Sequence, residues 1–389
     1  MTARILIAGD LAPIGAAEQA MSTGDADWIS DGLEPYWGRA DFRVANLECP
    51  LISKPTPPPK IGPVVGVMTD NANALSSFSL LGLANNHILD HGAEGLLNTI
   101  ELLNAAGVQY VGAGENLDSA SQPHIATING LTVGFLAWSH HEFCIATDNS
   151  AGAFPIDLVR GLPILEELDR QSDFVVLLYH GGLEHCPYPS PQQRQLCQFL
   201  AKRGADVILC QHSHVVGAKE VVGDSTIFYG QGNFCFDYKL PKNGSFPHWC
   251  HGILCELELS SSNAPMVNVI PTVQSIGNKL GPAIADEETT KEVLARIDHH
   301  SAILADPSLY QEEWEKLCQA RAKEYLNYLV PVGRVGRKLL KLAGLNDVFN
   351  SQKRVLFNIN RIECEAHSEV ICEGLKQIAN QMESSSSTT

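Results

Sequence analysis

Apolar runs of strand length recur along the first two thirds of the chain, and each stops at polar residues suited to binding a metal or moving a proton. Arg4-Ile-Leu-Ile-Ala-Gly closes on Asp10, Phe42-Arg-Val-Ala on Asn46-Leu47-Glu48, and Leu80-Leu-Gly-Leu-Ala on Asn85-Asn86-His87. Asp173-Phe-Val-Val-Leu-Leu-Tyr closes on His180-Gly-Gly, and Gly204-Ala-Asp-Val-Ile-Leu-Cys-Gln runs into His212-Ser213-His214. Residues 71–83 and 94–106 carry apolar positions at mixed three- and four-residue spacing, which predicts helices covering a sheet, with Gly107 as a stop for the second. This alternation persists to about residue 275 and predicts an α/β fold.

Residues 55–60, Pro-Thr-Pro-Pro-Pro-Lys, can continue neither structure and predict an extended loop. The runs 251–259 and 266–270 are separated by the turn-forming Ser260-Ser-Ser-Asn-Ala-Pro and are expected to pair as a hairpin. From Asp286 onward the composition shifts to Glu, Lys, Ala and Leu at helical spacing. The expected organisation is a domain over 1–280, a helical region over 281–383 and a disordered tail over 384–389. No internal repeat is visible.

Composition narrows the picture. The chain has 389 residues, with 44% hydrophobic and 18% charged, which suits a globular protein with a substantial core. A formal charge of −17 disfavours nucleic acid and anionic membrane surfaces as partners. The chain enters a strand pattern without an export signal and has no apolar run long enough to span a bilayer. The 11 cysteines, with no CxxC pair, read as reduced thiols, and a cytoplasmic location is expected.

Side chains at the carboxyl ends of strands leave the packed layer and converge in the crevice above the sheet, where α/β proteins bind ligands. A mixed carboxylate, amide and imidazole set suits manganese, iron or zinc rather than calcium or a soft thiophilic metal.

The ordered series GD, NLE, ANNHxxDxG, HGGxE, HxH and YxxGNFxFD, ending at Asp237, resembles the CapA family, named for poly-γ-glutamate capsule biosynthesis. That family is a divergent branch of the calcineurin-like metallophosphatase superfamily. The likeness spans roughly residues 4–240 and includes the segments 95–108 and 227–237. It implies a metallophosphatase-like four-layer α/β/β/α sandwich, here with a helical C-terminal extension.

The resemblance also implies one or two divalent ions. Glu48 would bridge them, where the superfamily more usually has Asp. Asn86, His180 and His212 would bind one ion, and Asp10 and His214 the other. Ala12 stands where the superfamily supplies a second ligand near the first Asp, so that ion is expected to be the weaker unless Asp90, Glu184 or another residue compensates. His87, after the ligating Asn, would be the general acid. Asp90, one turn further on, would orient it, bind metal or cap a helix.

Lys60 and Arg194 are the cations best placed in sequence to face an anionic small-molecule or polymer substrate. His140-His141-Glu142 and His185 follow strand ends but read more readily as loop residues, and His299, His300 and His367 as surface residues. Cys250, His251 and Cys255 do not make a zinc site, because residues five apart on a strand point to opposite faces. Two functions follow. One is a metal-dependent hydrolase of a phosphoester or γ-glutamyl amide in capsule or polysaccharide metabolism. The other is a non-hydrolytic accessory or binding protein of capsular polymer biosynthesis with a structural or vestigial metal site. Ala12 favours the second, and His87, which a metal site does not need, favours the first.

Overall fold

The computed structural model describes residues 1–58, 60, 62–236, 248–274, 281–329 and 352–386. The first sheet orders its strands Pro282–Ile284, Asn263–Gln274, His251–Ser260, Thr2–Ala12, Phe42–Leu47, Leu80–Gly82 and Gln109–Val111, with Asn233–Phe236 pairing alongside the end of Thr2–Ala12. From Thr2–Ala12 to Gln109–Val111 the neighbours are parallel, so their carboxyl ends share one edge. The expected hairpin is present, with Leu257 opposite Val267. At Gly9 a Cβ would lie 2.3 Å from the Gly232 carbonyl oxygen, so only glycine lets Asn233–Phe236 approach beside Asp10.

The second sheet orders Lys219–Val222, Ser225–Phe228, Val207–Gln211, Phe174–His180, Leu131–Ser139 and His124–Ile128. Its central strands are buried on both faces, and their alternate residues go to different cores. Val133, Phe135, Val176, Leu178, Val207 and Leu209 join one cluster with Ile5, Val44 and Leu81 of the first sheet. Leu136, Trp138, Leu177, Tyr179 and Ile208 join a second cluster with Leu165 and Leu168 of helix Leu158–Gln171 and Leu200 of helix Pro191–Ala201. The period of two therefore builds sheet against sheet on one side and sheet against helix on the other. Together with helix Gly92–Ala105, whose Leu96 and Leu103 are buried in the first cluster, this is the layered arrangement that the resemblance implies.

Two expectations need correction. Residues 71–83 do not form a helix; a short 3-10 turn, Asn73–Leu75, leads into strand Leu80–Gly82. Leu80, Leu81 and Leu83 are all fully buried, and a run apolar on every position has no period that separates strand from buried helix. Helix Gly92–Ala105 does form where 94–106 predicts one, and Gly107 follows it at φ 73°. The second correction concerns the chain's last third. Pro282–Ile284 is an edge strand of the first sheet, and helix Glu287–Ala305 sends Val293 and Ile297 into the first core. The last helix, Glu365–Ser386, runs through half of the tail expected to be disordered.

Residues 330–351 of the helical region, residues 387–389 of the tail and Asp237 of the last motif lie outside the described residues. All eleven cysteines are free thiols. Among the described residues, no helix is long and apolar enough to cross a membrane.

Candidate metal centre

The predicted strand ends meet where the two sheets face each other. Asp10 Oδ1 accepts from Asn46 Nδ2 at 2.8 Å, and Asp10 Oδ2 accepts from the His212 backbone N–H at 3.0 Å, tying the two sheets together. Asn85 donates to Asn46 Oδ1 and to the Leu47 carbonyl, which fixes the loop carrying Glu48. His180 Nε2 lies 2.9 Å from Asn86 Oδ1 and 3.4 Å from Glu48 Oε1. His214 Nδ1 lies 2.8 Å from Asn233 Oδ1 and 3.6 Å from Asp10 Oδ2.

Two groups able to hold a metal ion result: Glu48, His180 and His212, and Asp10, Glu48 and His214, each with ligand atoms within 4.8 Å of one another. Glu48 is common to both. Asn86 adds its amide oxygen to the first group, so that group offers four donors and the second three. Ala12 is fully buried, its backbone paired with Phe236, and neither Asp90 nor Glu184 joins the group around Asp10.

The backbone is strained to achieve this. His212 and His214 have φ of 87° and 55°, and His185 has 61°, in the left-handed region that non-glycine residues avoid. Such positions cost of order 1–3 kcal/mol each and cluster at functional sites. The preceding strand, with Val207, Ile208 and Leu209 buried at about 1.5–3 kcal/mol apiece, offsets the strain.

Electrostatics test whether the donor set suits a cation. Both carboxylate oxygens of Glu48 are buried without a hydrogen-bond partner, as is His212 Nδ1. Burial, reinforced by Asp10, Glu184, Asp90 and Glu142, raises the Glu48 pKa well above the usual carboxylate range. Burial also lowers His180 and His212, keeping the imidazoles neutral with lone pairs available. An isolated polar network would leave Glu48 unsatisfied at a cost of several kcal/mol. Divalent cations remove that cost, so the residues present fit them.

Beside the ligands runs a separate chain of contacts. His87 Nδ1 is 2.6 Å from Asp90 Oδ2, which also accepts from the Val65 backbone N–H at 2.7 Å. Asp90 Oδ1 is ion-paired with Lys60 Nζ, and the two side chains are only 1% and 6% exposed. Asp90 thus orients His87 and belongs to neither metal group. Lys60 reaches the site's border, but its ammonium is committed to Asp90.

Arg194 is not brought to the centre. Its guanidinium is held by Glu220, at 2.6 Å from Oε1, and stacks over Tyr310. Sequence proximity to His180 misled here, because helix Pro191–Ala201 carries Arg194 to its far side. Conversely, Glu142 lies in the crevice, 3.9 Å from His212 Nε2, and burial raises its pKa. His185 lies beside His214, their rings tilted with centroids 6.3 Å apart. His367 is buried rather than at the surface. Loop residues following a strand end were the available signal for Glu142 and His185; nothing in sequence pointed to His367. A further group, His248, His251 and Glu292, is near the surface with Arg296 donating to His251 Nδ1 at 2.9 Å, and that guanidinium opposes a cation there.

The family model described as bacterial capsule synthesis protein PGA_cap matches residues 4–238, more than half of the chain. The chain is 30% identical over 258 residues to the PGA biosynthesis protein CapA of Bacillus subtilis (strain 168), covering 61% of this chain and 67% of that one. It is 28% identical over 274 residues to the capsule biosynthesis protein CapA of Bacillus anthracis, covering 68% and 65%. The chain thus spans about two thirds of the length of these relatives. A solved 5'-nucleotidase precursor from Thermus thermophilus aligns at 14% identity over 76% of this chain and 58% of its own, with a TM-score of 0.40, a likeness too loose to carry an argument.

Proposed function

Because this chain belongs to the bacterial capsule synthesis protein PGA_cap family, we propose that it is a divalent-metal-dependent hydrolase serving poly-γ-glutamate capsule metabolism, acting on a phosphoester or a γ-glutamyl amide. The observation that carries this reading is the pairing of two kinds of machinery: a buried Glu48 shared by two ligand groups, and an independent Lys60, Asp90 and His87 relay beside it. A structural or vestigial metal site has no use for the relay.

Bound there, manganese, iron or zinc ions would supply Lewis acidity and lower the pKa of a water. Glu48, His180, His212 and Asn86 would hold one, and Asp10, Glu48 and His214 the other. The protein's own residues do the rest. Asp90 fixes the His87 ring through Nδ1, which leaves Nε2 to deliver a proton to the departing oxygen or nitrogen. Lys60 pairs with Asp90 through its ammonium, and Val65 N–H keeps the carboxylate in place. Asn46, Asn85 and Asn233 orient Asp10, the Glu48 loop and His214, so that little reorganisation is needed at reaction.

The test is His87→Ala in protein loaded with manganese, iron or zinc. It should retain metal yet lose about 10² or more in turnover of phosphoesters or γ-glutamyl amides, with a smaller loss for substrates whose leaving groups need no proton. Equal rates for wild type and variant across good and poor leaving groups would remove the general-acid role. A metal-loaded wild type inactive on every class would favour the accessory reading.

A further inference from the structure

Strand Leu131–Ser139 ends beside the two strands that carry the histidine ligands. Ser139 pairs with His180, and His180 with Gln211, so the three carboxyl ends are level and the residues after them share one edge. His140 ties two of the following loops together. Its backbone N–H donates to the His180 carbonyl at 2.9 Å, and its Nδ1 accepts from the Gly182 backbone N–H at 3.2 Å. That leaves its Nε2–H to meet the Tyr179 hydroxyl at 2.7 Å. A Cβ at Gly181 would lie 2.5 Å from the imidazole, so glycine there lets the ring close on the loop. Glu142, just beyond, is thereby held at the ligand cluster. Its side chain is 10% exposed and its Oε1 lies 3.9 Å from His212 Nε2.

The two ring nitrogens of His212 meet different surroundings. Nδ1 is buried without a hydrogen-bond partner, whereas Nε2 faces Glu142. A neutral imidazole carries a proton on one nitrogen and a lone pair on the other, and a metal takes the lone pair. A proton on Nδ1 would be a buried donor with no acceptor, which is costly. A lone pair on Nδ1 is what a cation held with Glu48 and His180 would take up. The proton then belongs on Nε2, in front of the Glu142 carboxylate.

The other imidazole ligands already have such partners. Asn233 holds His214 through Nδ1 at 2.8 Å, and Asn46 lies 3.2 Å from His180 Nδ1. His212 has only its backbone pinned, by the bond from its N–H to Asp10 Oδ2, and that bond does not orient the ring. Metal-bound histidines generally give their second nitrogen to a carboxylate, carbonyl or water, which fixes both tautomer and ring direction.

We propose that Glu142 is the positioning residue of His212: its carboxylate accepts from Nε2–H and so presents Nδ1 to the metal in a fixed direction. This rests on the metal centre of the proposed function, not on which bond that centre cleaves. Glu142 belongs to neither ligand group and acts through His212. The 3.9 Å separation exceeds the about 2.7–3.2 Å of an N–H···O bond, so the carboxylate advances by about 1 Å when the ion binds. A cation on Nδ1 makes Nε2–H the stronger donor, and a bond to a carboxylate is charge-assisted.

Nitrogen-15 NMR of the zinc-loaded full chain, labelled in histidine and with His212 assigned through its backbone, reads the tautomer. Zinc should sit on Nδ1 and the proton on Nε2, with a downfield proton shift that moves upfield in Glu142→Gln. Chelator competition gives a second readout. Zinc affinity should fall about 10- to 100-fold in Glu142→Ala, the weight of an outer partner of a metal-bound histidine, and recover in part in Glu142→Gln, whose amide oxygen still accepts. Urea unfolding of the metal-free chain should show no loss in either variant, which separates positioning from a merely structural role. The assignment is overturned by zinc on Nε2 of His212 in wild type, by an Nε2–H shift unchanged in Glu142→Gln, or by wild-type affinity in Glu142→Ala. Loss of one whole zinc ion from both variants also overturns it, because Glu142 would then be a ligand. Zinc that fails to bind wild type would refute the metal centre itself, and this assignment with it. Should Glu142→Ala fail to fold, the wild-type tautomer and the Glu142→Gln proton shift decide.

Discussion

Replacing Asp90 by Asn tests the relay most severely, because it removes a charge while keeping the shape. Asp90 and Lys60 are 1% and 6% exposed, so the substitution leaves an ammonium buried beside a neutral amide. Breaking one side of a buried pair costs about 3–5 kcal/mol. The charge-assisted bond to His87 is lost in the same step, although the amide oxygen can still accept from Val65 N–H, so its own worth of about 1.5–3 kcal/mol is not fully additive. Against a total stability of about 5–15 kcal/mol, the variant should fold but be visibly softened. Urea unfolding of the metal-loaded protein reads the loss. Adding Lys60→Met removes the orphaned ammonium and should restore half or more of the stability, while turnover stays about 10² below wild type because His87 is still unsupported. A cost under about 1 kcal/mol for Asp90→Asn, or no recovery in the double variant, would refute the buried relay.

Four further outcomes follow from the geometry. His180→Ala should lose most bound metal by elemental analysis, whereas His214→Ala should keep about one ion per chain, since the group around His180 and Asn86 has the extra donor; equal loss from both would show that the sites fill only together. Burial raises Glu48, so metal must displace its proton, and affinity measured by chelator competition should rise with pH, up to about tenfold per unit for each proton released. Burial lowers His180 and His212, so their contribution to the metal-free fold is complete above the usual imidazole pKa of about 6.5 and is lost as pH falls below it. Glu48 and Glu142 act oppositely, their contributions fading as pH rises, but burial lowers His185 and His367 as well as His180 and His212, and metal-free stability that did not decline on acidification from about pH 7 to 5 would contradict this balance. Arg194→Ala should lower stability by about 1 kcal/mol through Glu220 and Tyr310, with metal content and KM unchanged; a raised KM would return Arg194 to the substrate.

Sequence by itself determined the strands and what stands at their ends. An apolar run followed by Asp10, Glu48, Asn86, His180 or His212 is a local pattern, and parallel pairing brings such ends to one edge whatever lies between them. The order of the motifs was enough to mark the family. It was not enough for residues 71–83, where burial on every side erased the period that distinguishes strand from helix. Only the tertiary structure decided partners that chain distance conceals: Lys60 with Asp90, His214 with Asn233, and Arg194 with Glu220. The physical reason is the same in each case. A charged side chain reads alike in sequence whether it meets solvent, a counter-ion or a ligand, and its role is set by the charges and the burial that folding brings around it.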